Sequence, residues 1–567
     1  MPSTDEFISQ LSRIVGEKNV YCNKRDTEFY RKGFRSGKGD ALAVVFPKSL
    51  IEQWQLLQAC VDNNKIIIMQ AAKTGLTEGS TPSGSDYDRE IVIINVTRIK
   101  KIIPINNNEQ IISFPGSTLF SLEKLLKPLK RLPHSVIGSS CLGASIVGGV
   151  ANNSGGALVK RGPAYTEFSL FARVNEQGKL ELVNHLGIEG LGETPEEILN
   201  NLERGDFSDA DIVIDDRMAS DTEYVDRIRD VDANTAARFN ADKRRLYEAS
   251  GCAGKIAIFA VRLNTFPVAK KEKVFYIGSN DSGQLTKIRR DILSTFENVP
   301  DIGEYMHRDI FNLAEKYGKD TFLLISLLGT DHLPKLFAIK GKVESYLNKI
   351  PFLPKYLPDR ILQFISQVWP NVLPKRMLEF RDKYEHHLIL KMSDDGVAEA
   401  EDYLHDLFNS CTKEQGDYFE CTESEAEKAF LQRFAAAGAP IRYELMKKRE
   451  VLALDIALRR NDKDWVEVLP KEIEEQLEHK LYYGHFFCHV FHQDYILKKG
   501  ASAKKVKKAM LERLDSIGAK YPAEHNVGHL YEAEKDLKQF YHQLDPTNTF
   551  NPGIGGTDKK RNCSCCG

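Results

Sequence analysis

Two segments near the C-terminus carry the side chains best suited to acid-base chemistry. LYYGHFFCHVFHQDY contains His485 and His492, and AEHNVGH contains Glu524 and His525. Histidine is the natural base for removing the proton of a hydroxyl group, because its pKa lies near neutral pH. Each histidine taken singly is equally well explained as a hydrogen-bonded core residue, so the grouping carries the prediction of a catalytic site. A metal-dependent hydrolase is one class of enzyme that this grouping allows.

A substrate with a carboxylate also needs a fixed cation, preferably the bidentate fork of arginine. Four arginines close to the histidine segments are candidates: Arg433 in FLQRFAAAG, Arg442 in APIRYE, and Arg459 and Arg460 in LALDIALRRND. For any one of them, solvation at the surface is the alternative.

Two glycine-rich loops predict a site for a large anionic ligand. QAAKTGLTEGSTPSG (70–84) follows an apolar strand, and GSSCLGASIVGGVANNSGG (138–156) is unusually rich in small residues. Glycine lets backbone amides converge on a pyrophosphate without steric conflict. Tight helix packing is the alternative, but both loops together favour a nucleotide-type cofactor. The GxGxxG fingerprint of nicotinamide enzymes is absent, which favours a flavin.

The secondary-structure elements that must position these residues show two patterns along the chain. The first 110 residues alternate helical and strand signals, with strands expected at 65–70 and 90–96, which is typical of an α/β unit. From Val274 onward, helices alternate with strands in a pattern typical of an antiparallel sheet covered by helices. The strands expected there are 274–277, 321–327 and 387–392, and the helices are 282–296 and 397–408.

Composition excludes several classes of protein. The chain has 567 residues, 78 Lys+Arg against 80 Asp+Glu, 42% hydrophobic and 28% charged residues, as ordinary globular proteins have. A uniformly basic nucleic-acid-coating protein is excluded. We expect no signal peptide and no membrane-spanning helix. The ten cysteines are expected to be reduced, and the tail with Cys563, Cys565 and Cys566 is expected to fray rather than bind metal.

A basic, aromatic stretch runs from Lys335 to Lys383. It has ten Lys/Arg against four acids, a surplus of six. Seven aromatics are interspersed among them: Phe337, Tyr346, Phe352, Tyr356, Phe364, Trp369 and Phe380. Cations that meet anionic lipid headgroups and aromatics at the boundary suit a membrane interface. Nucleic acid can use the same ingredients, and a solvated charged face is the simplest alternative.

A specific resemblance covers nearly the whole chain. AAKTGLTEGS, ASIVGGVANNSGG, GCAGKIAIFAVRL and DPTNTFNPGIG, in this order, resemble the FAD-binding domain of the vanillyl-alcohol oxidase superfamily. With RKGFRSGKGDALAVVFP, PHSVIGSSCLGAS, RDKYEHHLILKM and YPAEHNVGHLY added, the chain is similar to the bacterial family of quinone-dependent D-lactate dehydrogenases.

The resemblance implies an α+β protein in which a PCMH-type FAD-binding domain of two α/β subdomains carries an antiparallel-sheet cap domain and a basic membrane-binding insert. The expected FAD-binding domain is formed by 1–268 and 516–567, the cap domain by 269–332 and 385–515, and the insert by 333–384.

The resemblance also implies the cofactor contacts. The FAD pyrophosphate is expected on Ala71, Ala72, Lys73, Thr74, Gly75, Gly79 and Ser80, with further contacts from Gly138, Ser145, Gly155, Gly254 and the backbone near Ile256. Relatives that attach FAD covalently use a histidine in the first loop, and 70–84 has none, so we expect dissociable FAD. The lysine that usually follows NPG is Ile554 here.

By the same resemblance, His485, His492 and Glu524 would hold a divalent metal, Zn or Mn, that polarises the substrate hydroxyl, and His525 would be the base. Arg433 matches the family position for the carboxylate clamp best. A family lysine is replaced by Ala453, so another cation must serve.

The function implied is oxidation of D-lactate to pyruvate by hydride transfer to FAD, with electrons passed to a membrane quinone. The expected location is the cytoplasmic face of the bacterial inner membrane, on anionic phospholipid, with no nucleic acid bound. A dehydrogenase of another D-2-hydroxy acid such as 2-hydroxyglutarate, the metal-dependent hydrolase and a noncatalytic flavin-binding module stay open as alternatives.

Overall fold

The computed structural model describes residues 3–136, 140, 142–320, 322–323, 343, 347, 350, 357–369 and 372–561. Gly138 and the tail cysteines lie outside the described residues. Of the strand expected at 321–327, Phe322 and Leu323 are helical, so the prediction is wrong for these two residues, and the rest lies outside the described part.

The N-terminal unit is a four-stranded sheet in the order β1-β2-β4-β3, in which β2, β4 and β3 are parallel. Its strands are β1 (Val20–Tyr21), β2 (Ala43–Val45), β3 (Ile66–Gln70) and β4 (Ile91–Asn95), with helices α1 (Thr4–Val15), α2 (Lys24–Arg31) and α3 (Leu50–Asp62). Strands β2 and β4 are buried along their whole length, as expected for parallel strands covered on both faces. Both predicted strands in this unit are confirmed.

A second, antiparallel sheet has the order β5-β6-β10-β8-β9. Its strands are β5 (Ile102–Ile105), β6 (Gln110–Ser113), β8 (Ser169–Val174), β9 (Leu180–Asn184) and β10 (Ala257–Asn264). Two short strands, β7 (Arg131–Leu132) and β11 (Phe266–Pro267), pair separately. The helices of this region are α4 (Leu119–Leu126), α5 (Ile146–Ala151), α6 (Pro195–Arg204) and α7 (Tyr224–Arg229).

The third sheet has seven antiparallel strands in the order β15-β12-β14-β13-β17-β18-β16, and we call it the cap sheet. Its strands are β12 (Glu272–Ser279), β13 (Ile302–His307), β14 (His386–Ser393), β15 (Gly416–Glu420), β16 (Val451–Ala457), β17 (Leu477–His485) and β18 (Val490–Leu497). The antiparallel sheet expected after Val274 is therefore confirmed.

Helices cover both faces of the cap sheet. Successive residues of its strands point to opposite faces, so neighbouring residues pack against different helices. Phe275 and Leu388 pack in one core with α8 (Ser282–Thr295) and α12 (Gly396–Asn409). Tyr276 and Ile389 pack in another with α9 (Arg308–Tyr317) and α13 (Glu423–Lys447). The remaining described helices are α10 (Leu357–Val368), α11 (Lys375–Lys383), α14 (Lys471–Glu474), α15 (Ala503–Ser516) and α16 (Lys535–Leu544).

The end of the chain returns to the N-terminal sheet. Ile67 of β3 donates its N–H to the Thr549 carbonyl at 3.0 Å and accepts from the Asn551 N–H at 2.9 Å. Buried Lys255 donates to Asn548 and to the Phe550 carbonyl. These contacts hold the DPTNTFNPG segment (545–553) against β3. The division of the chain into the domains expected above stays a prediction.

Candidate active site

Strand register assembles the candidate site on one face of the cap sheet. Glu304 of β13 lies opposite His485 of β17, and Asp455 of β16 lies opposite His492 of β18. His485 faces Val490 and Tyr483 faces His492, so the two histidines are diagonal neighbours. Their rings stand 5.2 Å apart, nearly perpendicular. This face is the one that also carries α13.

His485 lies between two carboxylates. Its Nδ1 is 2.6 Å from Glu304 Oε1, and its Nε2 is 3.2 Å from Glu524 Oε2. Burial opposes the charged imidazolium, but the carboxylates of Glu304 and Glu524 outweigh burial and raise the pKa of His485 to about 10. A positive charge, whether a proton or a metal ion, is therefore favoured at this position.

His492, like His485, lies between two carboxylates. Its Nδ1 lies 3.2 Å from Asp455 Oδ1, and its Nε2 lies 3.9 Å from Glu524 Oε2. Ligand atoms of His485, His492 and Glu524 all lie within 4.8 Å of one another, and we call these three residues the His/Glu cluster. Both imidazoles have Nδ1 beside a carboxylate, and their Nε2 atoms converge on a third carboxylate. Such carboxylate contacts orient histidines that bind a metal. The donor set fits Zn²⁺ or Mn²⁺.

Glu524 is fixed from three sides. Its backbone N–H donates to Asp455 Oδ2 at 2.7 Å, its Oε2 faces the histidines, and its Oε1 pairs with the buried Arg238. Burial disfavours its charged form, but His485 and Arg238 outweigh burial and hold the pKa of Glu524 well below its ordinary value. Glu524 is therefore an ionised carboxylate in a fixed orientation, as a metal ligand must be.

His525 follows Glu524 and is the more accessible of the two, with 32% of its side chain exposed. Its Nε2 lies 3.9 Å from Asp455 Oδ2. Desolvation lowers the pKa of His525. The negative charges of Asp455 and Glu524 oppose this shift, and the positive charge of Arg35 adds to it. The neutral imidazole that results can accept a proton at neutral pH.

The four arginine candidates separate in the structure. Arg433 of α13 places Nε 2.6 Å from Glu304 Oε2 and its guanidinium over the Tyr483 ring. The other three are engaged elsewhere: Arg442 pairs with Asp320 and Asp359, Arg459 with Asp462, and Arg460 with the Thr235 and Arg227 carbonyls. Only Arg433 among these four touches the carboxylates around the His/Glu cluster.

The first glycine loop offers a row of free donors. Among the described residues, no hydrogen bond leaves the backbone N–H groups from Ala71 to Thr77. Buried Gln70 braces the loop by donating to the Ser80 carbonyl at 2.8 Å. The Gly75 position is open, since a Cβ there would meet no atom within 4 Å. The backbone of this loop fits a pyrophosphate.

Two residues of the first loop point away from its centre. Lys73 sends Nζ to the Phe29 and Lys32 carbonyls, so it is placed to bind a ligand through its backbone rather than its ammonium group. Thr77 Oγ1 donates to Asn526 at 3.3 Å, and Asn526 in turn donates to Asn152 of the second loop. Asn526, the residue next to His525, therefore contacts both glycine loops.

The second loop lies close to the cluster at Gly155. Ser145 caps α5 by accepting from the Gly148 N–H at 3.0 Å. A Cβ on Gly155 would lie 2.6 Å from Glu524 Oε1, so glycine is required there. Gly254 has φ +80°, and Ile256 is buried. Ile554, where the family lysine was expected, is a buried member of an apolar cluster with Val527 and Leu537.

The functional residues that the sequence did not reveal are Glu304, Asp455 and Arg238. Glu304 and Asp455 are single carboxylates inside strands with apolar neighbours, IGEYMH and VLALDIA, and both are buried. A lone acid in an apolar strand is a signal for a buried functional group. Arg238 lies in a loop with no such signal.

Comparisons with known families agree with this geometry. A family described as D-lactate dehydrogenase, membrane binding, matches residues 274–563, and the FAD binding domain family matches residues 41–178. The first match holds the cap sheet and the His/Glu cluster, and the second holds the first glycine loop and Ser145.

Curated relatives match over the full length. The chain is 59% identical over 567 residues to the quinone-dependent D-lactate dehydrogenase of Escherichia coli, with 99% of each chain covered. It is 55% identical over 562 residues to that of Haemophilus influenzae, again with 99% of each covered. Among solved structures, p-cresol methylhydroxylase with substrate bound has the same fold, with a TM-score of 0.58 at 13% identity over 98% of this chain and 97% of that one.

Proposed function

This chain belongs to the family of quinone-dependent D-lactate dehydrogenases, and we propose that the face of its cap sheet with the His/Glu cluster and His525 oxidises D-lactate to pyruvate. One observation carries the assignment of the site. A base and a metal-type donor set occupy the same face of a sheet, and Asn526 ties them to a glycine loop with free amides.

FAD fits the two glycine loops: the first has unpaired amides and an open Gly75, and the second has the required Gly155. The residues that would hold it are the Ala71 to Ser80 loop, Ser145, Gly155 and the Gly254 to Ile256 turn, with Gly138 carried from the family resemblance. When bound, FAD accepts the hydride from the substrate carbon and passes two electrons to a quinone. A histidine for covalent attachment is absent from 70–84, so FAD is held noncovalently.

The residues of the chain divide the remaining work. Arg433 holds the substrate carboxylate, because its guanidinium is fixed by Glu304 and Tyr483 beside the cluster. His525 removes the hydroxyl proton, with Asp455 stabilising the imidazolium that forms. His485, His492 and Glu524 would hold a Zn²⁺ or Mn²⁺ ion that polarises the same hydroxyl.

The alternatives explain less of the molecule. A hydrolase would use the His/Glu cluster but would leave the free amides of the first glycine loop without a role. A noncatalytic flavin module would leave the cluster and His525 without one. A dehydrogenase of another D-2-hydroxy acid uses every feature, and it is separated from the proposed reaction by substrate alone.

Membrane association is a property of the family, and helix α10 offers a surface for it. One face of α10 exposes Phe364 at 68% and Val368 at 70%, together with Ile361 and Ile365. These positions follow the i, i+3, i+4, i+7 spacing of one helix face. No described helix is both long and apolar enough to cross a bilayer. We place this face on anionic phospholipid at the cytoplasmic side of the inner membrane, where the exposed Arg360 precedes it in the same helix.

Anaerobic mixing of the purified holoenzyme with three acids tests the proposal. D-lactate is expected to bleach the flavin absorption bands within seconds, whereas L-lactate and D-2-hydroxyglutarate leave them unchanged over the same period. Bleaching by D-2-hydroxyglutarate in preference to D-lactate would favour the second dehydrogenase, and no bleaching by any acid would overturn the proposed function.

A further inference from the structure

A second aromatic and basic surface lies near the N-terminus, which we call the N-terminal patch (residues 24–38). Phe29 is 67% exposed and Phe34 is 46% exposed. Six cations against two acids give the patch a surplus of four positive charges. The exposed cations are Lys24, Arg25, Lys32, Arg35 and Lys38. An isolated exposed phenylalanine needs no explanation, but two in one cationic segment of 15 residues do.

Backbone and side-chain hydrogen bonds fix the hairpin of the patch. Lys32 and Lys38 form a β-bridge, and the Gly33 N–H donates to the Gly37 carbonyl at 3.0 Å, which closes a tight hairpin around Phe34. Ser36 Oγ donates to Glu78 Oε1 at 2.6 Å. Since Glu78 belongs to the first glycine loop, the hairpin is anchored to the proposed cofactor site.

The patch and the helix that offers the membrane surface both interact with α13. Arg442 of α13 pairs with Asp359 in the first turn of α10. Two residues further along α13, burial raises the pKa of Glu444, and the positive charge of Arg35 partly offsets this shift. Arg35 of the patch and Asp359 of α10 therefore both interact with residues of α13 that lie two positions apart.

We propose that the N-terminal patch is a second membrane contact, in which Phe34 and Phe29 enter the headgroup boundary of an anionic lipid surface and the flanking cations meet its headgroups. The proposal extends the membrane association described above to a segment outside residues 274–563, the range matched by the membrane-binding family. Aromatics at the boundary with cations around them are the chemistry that such an interface selects.

The position of the patch gives the contact a consequence for the reaction. Ser36 of the hairpin contacts Glu78, and a Cβ on the next residue, Gly79, would lie 2.6 Å from Asn526, the neighbour of His525. The hairpin that carries Phe34 is therefore linked through the first glycine loop to the residue next to His525. With Phe34 in the lipid boundary, this loop would lie near the bilayer, from which an apolar electron acceptor must come.

Tryptophan fluorescence on vesicles tests the placement. Trp369 at the end of α10 is 44% exposed, whereas Trp54 and Trp465 are buried, so the native chain already reports on α10. In full-length holoenzyme bound to vesicles of anionic and zwitterionic lipid with brominated acyl chains, Phe34→Trp is expected to add emission that the bromines quench. Ile214→Trp, at a position that is 87% exposed, is the matched control and is expected to add unquenched emission.

The outcomes separate this proposal from membrane association itself. Quenching of Trp369 without quenching at position 34 would overturn the N-terminal contact and leave α10 at the membrane. Absence of quenching at both positions would overturn both placements. Quenching at positions 34 and 214 alike would mean nonspecific adsorption and would also overturn the proposal.

Removal of charge gives a second, independent measurement. Lys24→Gln with Arg25→Gln is expected to weaken vesicle binding about tenfold on anionic vesicles at low salt, and to leave the weaker binding to zwitterionic vesicles unchanged. Phe34→Ser is expected to weaken binding about tenfold on both. Unchanged anionic-vesicle binding in all of these variants would contradict the proposal.

Discussion

His485 Nε2 lies 3.2 Å from Glu524 Oε2, and His485 Nδ1 lies 2.6 Å from Glu304 Oε1, so one imidazole is held between two buried carboxylates. A neutral imidazole has one N–H and satisfies only one of these acceptors. The second contact needs a proton on the other ring nitrogen as well, and against the opposing effect of burial the two carboxylates raise the pKa of His485 to about 10. A divalent metal held by His485, His492 and Glu524 would take the place of that proton.

Metal binding at the His/Glu cluster is the first prediction. His492→Ala is expected to lose stoichiometric Zn²⁺ or Mn²⁺ and to reduce D-lactate turnover at least a hundredfold, because one ligand of three is removed. His405→Ala, at an exposed position on α12, is the control and keeps both. Metal analysis of the purified proteins measures the bound metal, and turnover before and after chelation measures its contribution to activity. Full activity in metal-free enzyme would show that the cluster works without a metal.

The pH dependence of metal affinity follows from the same residue. Since the pKa of His485 is raised to about 10, its proton must leave before a metal binds. Affinity is therefore expected to fall about tenfold for each pH unit lowered below that value. Competition with a chromophoric chelator at pH 7 and pH 8 measures the slope, and a pH-independent affinity would contradict the assignment of His485 as a ligand.

Substrate recognition by Arg433 is the third prediction. Arg433→Lys keeps the charge beside Glu304 but loses the planar fork, so the KM for D-lactate is expected to rise about tenfold to a hundredfold. Arg442→Lys, on the same helix but paired with Asp320 and Asp359, is expected to leave KM unchanged. Steady-state kinetics with a soluble electron acceptor measures both, and equal KM values for wild type and Arg433→Lys would remove Arg433 from the clamp.

Asn526 is expected to couple cofactor affinity to the catalytic segment. Asn526→Ala removes the contacts to Thr77 and Asn152, so the dissociation constant of FAD is expected to rise about tenfold. Asn200→Ala, at an exposed position on α6, is the matched control. Titration of the apoprotein with FAD measures the difference, and identical affinities would show that Asn526 does not support the loop.

Glu425 is expected to stabilise the start of α13 in a pH-dependent way. The Arg376 guanidinium and the Thr422 N–H hold the pKa of Glu425 at about 2. Because the pKa is lowered on folding, the stabilisation is complete above the ordinary value of 4.5 and is lost as pH falls from there toward 2. Glu425→Gln should lower the free energy of unfolding by about 1 kcal/mol at pH 7. In urea unfolding, the difference in unfolding free energy between wild type and Glu425→Gln should be smaller at pH 3 than at pH 7. An equal difference at the two pH values would contradict this account.

Several parts of the fold and the site could be predicted from sequence because they rest on local patterns. The glycine loops, the strands at 65–70 and 90–96 and the antiparallel cap sheet follow from composition and periodicity over a few residues. The grouping of His485, His492 and Glu524 followed from the family resemblance, and the structure brings their ligand atoms together.

The rest depends on strand register, which local patterns do not encode. Glu304 lies opposite His485 because β13 pairs with β17, at a separation of 181 residues along the chain. Asp455 meets His492 for the same reason. Residue type and local pattern did not distinguish the four arginine candidates, and only the family resemblance favoured Arg433. The partners of each side chain in the folded protein separate Arg433 from the others.

The rate of flavin reduction in His525→Gln tests the central claim most directly. The account predicts that the variant binds FAD and D-lactate as the wild type does, but that anaerobic bleaching of the flavin by D-lactate is slower by about a hundredfold to ten-thousandfold, as expected for loss of a general base. Flavin reduction in the variant within about threefold of the wild-type rate, measured by rapid mixing at saturating D-lactate, would contradict the assignment of His525 as the base.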